Sequence, residues 1–104
     1  MIIQVNTDHH ITGRQEFIAE AESIVTDALS HVSDHITRVE VHLNDENSKK
    51  SGPEDKRCMM EARLEGHQPI AVTHKAETLA FAMDGAAEKL KTAVEHTVDR
   101  LQRH

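Results

Sequence analysis

The sequence has no tryptophan, no tyrosine and only two phenylalanines, Phe17 and Phe81. A core of stacked aromatic rings is therefore excluded, and the interior must come from Ile, Val, Leu, Met and Ala. Cys58 is the only cysteine, so no intrachain disulfide can form. A lone thiol fits a reducing compartment, and its ordinary place is that of a small buried hydrophobe. Apolar runs are only a few residues long, against the roughly 20 needed to cross a bilayer, so no membrane partner is expected. The N-terminal residues lack a basic stretch followed by an apolar one, which leaves the cytoplasm as the expected location. Gly-rich phosphate loops, His-Glu-x-x-His and Gly-x-Ser-x-Gly are all missing. No catalytic residue is nominated, and neither a cofactor nor a small-molecule substrate is expected. Basic residues are also in short supply: 12 Lys+Arg face 18 Asp+Glu, for a net charge of −6. Taken alone, that argues against a polyanion binder.

What is present is enough for one modest core. The chain has 104 residues, the size of one small domain, and 1–104 is expected to be a single unit. Ile2–Thr7 reads as a strand with Ile3 and Val5 on one face. Thr12-Gly13-Arg14-Gln15 fits a capping box, with Thr12 as cap and Gln15 reaching back. Phe17, Ile18, Ala21, Ile24, Val25, Ala28, Leu29 and Val32 then follow at helical spacing. They predict an amphipathic helix of about 19 residues, with Glu16, Glu20, Glu22 and Asp27 outside. Val39, Val41 and Leu43 alternate with Arg38, Glu40 and His42 in a second strand. The polar stretch from Asn44 to Asp55, with Lys49, Lys50 and Gly52-Pro53, reads as a mobile loop.

Cys58, Met60, Ala62 and Leu64 form one face of a third strand from about Lys56 to Leu64. Arg57, Met59, Glu61 and Arg63 form the other. A tight turn at Gly66 leads to a fourth strand, Pro69–His74, with proline tolerated at its start. The rest predicts one long helix, about Glu77 to Gln102, with Leu79, Met83, Ala86, Leu90, Ala93, Val94, Thr97, Val98 and Leu101 on its inner stripe. Gly85 interrupts it at a cost near 1 kcal/mol relative to alanine, which suggests a close approach by a neighbouring element or a merely tolerated glycine. The order β-α-β-β-β-α predicts an α+β domain of two layers. Its sheet has four strands, three of them an antiparallel meander, and two helices pack on one face.

Nine histidines are unusual for this length. Only His31 and His35 have i,i+4 spacing, and Ser33 interrupts it. Metal binding needs three or four convergent ligands, so no metal site is assigned. Charge distribution matters more than its sum. Residues 1–47 hold two basic and nine acidic residues, whereas 48–104 hold ten basic and nine acidic. Lys89, Arg100 and Arg103 can share one flank of the last helix, although acid–base pairs such as Glu88/Lys91 and Asp99/Arg103 would give an ordinary surface.

The element order and the run from Glu77 to Leu90 resemble the ribosome hibernation promoting factor family, also called ribosome-associated inhibitor or sigma-54 modulation protein. That run has an acidic start, small residues, a Met83-Asp84-Gly85 step and then Glu88-Lys89-Leu90. Arg38–Leu43 and Ala62-Arg63-Leu64-Glu65-Gly66 are similar to the family's second strand and strand-turn-strand. The resemblance spans nearly the whole chain, which looks like a short form. It implies a non-enzymatic protein that binds the small ribosomal subunit and its 16S rRNA in the decoding channel. It further implies inhibition of translation and ribosome hibernation under stress or in stationary phase. Lys89, Lys91 and Arg100 are the positions this resemblance carries over as rRNA contacts. Arg103, Arg57 and Arg63 join them from charge alone. The acidic first helix supports an alternative: a protein-interaction module of the same fold that has lost strong RNA binding and takes a basic protein partner.

Overall fold

A computed structural model describes residues 1–9, 11–46 and 55–102. The elements are β1 (Ile2–Thr7), α1 (Arg14–Leu29), a 3-10 segment (Ser30–His35), β2 (Ile36–Asp45), β3 (Lys56–Leu64), β4 (Ile70–Ala76) and α2 (Leu79–Leu101). One four-stranded sheet in the order β1-β2-β3-β4 carries both helices on one face. β1 is parallel to β2, and β2, β3 and β4 form the antiparallel meander. The α+β reading therefore holds.

Alternation along each strand decides which side chains meet the helices. Val39, Val41, Leu43, Cys58, Met60, Ala62 and Leu64 are buried on the helix side. Ala21, Val25 and Leu29 of α1 and Met83, Ala86, Leu90 and Val94 of α2 cover them. The interior is thus aliphatic, with methionine filling the space that aromatic rings would occupy elsewhere. Burial pushes the Cys58 thiol up to about 12.

Gly85 has a specific cause. The His74 side chain, on the helix side of β4, lies directly against the α2 backbone at this residue. A Cβ on Gly85 would overlap the imidazole ring. The close approach read from the glycine is therefore real, and its partner is a side chain of the sheet.

Several expectations need correction. The capping box does not form: Gly13 is the N-cap in a left-handed conformation, φ 72°, with no side-chain cap. Glycine enters that conformation without a Cβ penalty and lets the chain reverse into α1. α1 is 16 residues long, not about 19, because the last turn tightens into the 3-10 segment that still buries Val32. Asn44 and Asp45 belong to β2, and Glu46 N–H donates to the Asp55 carbonyl at 2.8 Å, so pairing runs further into the expected loop. Lys49, Lys50 and Gly52-Pro53 of that loop lie outside the described residues. β4 runs on to Ala76. Leu101, expected inside, is exposed because α2 has by then outrun its cover.

Chain direction fixes the poles of the molecule. α1 returns from the end of β1 to the start of β2, and α2 turns back along β4, which is antiparallel to β3. The two helices thus run parallel. Ile24 and Ala28 share a groove with Asp84 and Ala87, and further along His31 meets Glu95. The start of β1 and the end of α2 emerge at one pole. The β1–α1 turn and the start of α2 lie at the other.

Candidate nucleic-acid interface

α2 begins at Thr78, whose hydroxyl accepts from Phe81 N–H at 3.1 Å. Its buried stripe leaves two flanks with different charge. Eleven residues separate Lys89 from Arg100, three turns plus about 20°, so both occupy the flank beside β4. Lys89 Nζ donates to the Thr73 carbonyl at 2.9 Å, at the free edge of the sheet. Arg100 is exposed, roughly 16 Å further along the axis. His96, two turns from Lys89, lies between them and is also exposed. None of the three is ion-paired among the described residues.

Lys91 is on the opposite flank, about 160° around the axis from Lys89. It is half-buried in the groove between the helices, beside Asp27, Asp84 and Glu88. No Glu88–Lys91 ion pair is formed among the described residues. The expected cluster of Lys89, Lys91 and Arg100 is therefore split between the two sides of α2. Arg103 lies outside the described residues, and with it the Asp99/Arg103 pair.

The sheet's other face is polar and largely self-neutralised. Glu40 receives Arg38 Nε at 3.1 Å, with His42 Nε2 at 3.6 Å and an Arg63 guanidinium nitrogen at 3.8 Å. Arg63 also reaches Glu61 at 3.3 Å. The register places Arg63 beside Arg38 and Glu61 beside Glu40, so the carboxylates sit where the arginines would repel. Arg63 is consequently a bound cation rather than a free one. Lys56 lies 2.9 Å from Asp55 and 3.4 Å from Asp45; the Asp55 hydrogen bond, with further help from Asp45, raises its pKa.

Arg57 has no carboxylate partner among the described residues. It stands opposite Lys75 of β4, which reaches Glu46 at 3.3 Å. Basic residues thus run from Arg57 of β3 and Lys75 of β4 to Lys89 and Arg100 on the adjacent flank of α2, with His96 between the last two. Lys75 and His96 are not among the residues the sequence nominates. The seven-residue step from Lys89 could have found His96, whereas the pairing of Lys75 with Arg57 depends on strand register. Among the described residues there is no group of three metal-ligating side chains, and no helix is long and apolar enough to cross a membrane.

These features define a class: a two-layer β-α-β-β-β-α domain in which, among the described residues, Lys89 and Arg100 stand free of ion pairs on the flank of the last helix beside β4. The family model described as sigma 54 modulation protein / S30EA ribosomal protein matches residues 6–102. The chain belongs to that family, a family of ribosome-associated proteins. Its fold is similar to the N-terminal domain of Protein Y from Thermus thermophilus, with a TM-score of 0.69 and 18% identity over 93% of this chain and 99% of that one. It is equally similar to a ribosomal subunit interface protein from Coxiella burnetii, with a TM-score of 0.69 and 15% identity over 95% and 99%. No curated protein matches the sequence.

Proposed function

We propose that this chain binds the small ribosomal subunit in the decoding channel, contacts 16S rRNA, and holds ribosomes idle under stress or in stationary phase. It acts as a folded wedge and catalyses no reaction. The observation that carries the reading is the Lys89–Arg100 flank, free of carboxylate partners among the described residues, on a fold of this family. Phosphate contacts of this kind orient a protein on RNA without reading its sequence. Lys89 is pre-positioned by its bond to the Thr73 carbonyl, and Arg57 supplies a third free cation. Lys91 and Arg63, already surrounded by carboxylates, contribute less.

Co-sedimentation with purified small subunits at low and high salt tests this. Binding is expected at low salt and should fall steeply as salt rises. A Lys89→Ala/Arg100→Ala variant should weaken it and flatten the salt slope by about 0.7–0.9 for each phosphate left unneutralised. Lys91→Ala should do markedly less. Absence of the protein from the subunit fraction at low salt, with subunits in excess, overturns the reading.

A further inference from the structure

The helical layer has a second surface, on the side of α2 away from the β4 edge. Between α1 and α2 runs a groove of about 370 Å³ whose floor includes Ile24, Ala28 and Ala87. Its rim carries Asp27, Asp84 and Glu88, together with Lys91. On α2, Phe81 precedes Asp84 and Glu88 along the same outer ridge, at i, i+3 and i+7. Phe81 is 63% exposed, more than any other large hydrophobic side chain among the described residues. Glu77, just before the helix, is also exposed.

On the sheet face the carboxylates are consumed by neighbouring arginines. Here Asp27, Glu77, Asp84 and Glu88 have no ion-pair partner among the described residues. An apolar floor, an exposed ring and rim carboxylates that outnumber the one Lys91 form a surface that repels RNA. It is complementary to a cationic polypeptide.

From this geometry we infer that the α1–α2 groove and Phe81 form a docking surface for a lysine- and arginine-rich segment of another protein. Aliphatic side chains of the segment fill the floor over Ile24, Ala28 and Ala87. A guanidinium or aliphatic group covers the Phe81 ring, since arginine stacks on aromatic faces. The rim carboxylates take the remaining charges. The phenylalanine supplies an aromatic anchor at one end of the groove and the rim supplies steering and register. This surface is separate from the Lys89–Arg100 flank, so both can be occupied at once.

The test uses the full chain, isotope-labelled, titrated with a short amphipathic peptide of arginine, lysine and leucine and followed by NMR. Saturable shifts are expected at Ile24, Ala28, Phe81, Asp84 and Ala87. Phe81→Ala should weaken binding roughly fivefold or more, and Asp84→Asn/Glu88→Gln should weaken it and reduce its salt dependence. Since Phe81 is exposed, its truncation leaves the fold intact, which the unchanged spectrum of the remaining residues verifies. Acetylating the peptide's lysines should weaken it further. Lys89→Ala/Arg100→Ala should leave peptide binding unchanged, which separates this surface from the RNA reading. The inference is overturned if binding is not saturable, if the shifts map to the β4 edge, or if Phe81→Ala binds as well as the parent. It is equally overturned if an oligouridylate binds the groove, or if sedimentation shows a second copy of the chain occupying it.

Discussion

Gly85→Ala should destabilise the protein, although alanine is the better helix former. In an exposed helix interior this substitution gains roughly 1 kcal/mol. Here the added Cβ falls on the His74 ring. The overlap includes ring atoms close to the His74 backbone, so rotating the tip of the side chain does not relieve it. Overpacking of this kind costs typically about 1–3 kcal/mol. The net loss should be up to about 2 kcal/mol, and a domain of this size loses roughly 4–8 °C in Tm per kcal/mol. Without tryptophan or tyrosine, intrinsic fluorescence is a poor probe, so urea unfolding followed by far-UV circular dichroism is the suitable assay. The same substitution in a His74→Ala background should become stabilising, by up to about 1 kcal/mol, because the obstacle is gone. The cycle should therefore show a coupling of roughly 1–3 kcal/mol between the two positions. A Gly85→Ala protein more stable than the parent, or two substitutions whose effects simply add, would refute the reasoning.

Cys58 should titrate as a buried thiol. Its folded pKa is raised above the ordinary 9.0 to about 12, so the neutral form is favoured by folding. That contribution is complete below about 9 and is lost as pH rises from there toward 12. Unfolding midpoints should therefore fall more steeply above about pH 9 in the parent than in Cys58→Ala, and thiol reagents should label Cys58 at about pH 8 only after denaturant is added. Thr78→Ala should cost about 1 kcal/mol by freeing Phe81 N–H at the start of α2. Thr78→Ser should retain most of it, with thermal unfolding as the measurement.

The strands are legible in the sequence because alternation is a local pattern. Val39, Val41 and Leu43, and Cys58 to Leu64, announce their buried face without knowledge of a partner. Gly85 is legible as a close approach, but its partner is not, since His74 becomes a neighbour only when α2 folds back on β4. The start of α1 is easily mistaken because Thr12 and Gln15 fit a capping pattern that competes with the left-handed freedom of Gly13 beside them. At the candidate interface, helical arithmetic alone separates Lys91 from Lys89 and joins Lys89 to Arg100. The neutralisation of Arg63 needs tertiary information: it depends on the register that sets Arg63 beside Arg38 and both near Glu40. Charge counts cannot reveal that the described basic residues of this half divide into paired and free groups.

Because β1 begins and α2 ends at the same pole, that pole is the one from which added sequence can be attached without cutting the fold. A tag, label or fused domain following α2 therefore stands near Arg100 and crowds one end of the cationic flank, whereas one preceding β1 sits at the far edge of the sheet. The opposite pole, where Gly13 turns the chain and Thr78 starts α2, carries the other end of that line at Arg57 and Lys75.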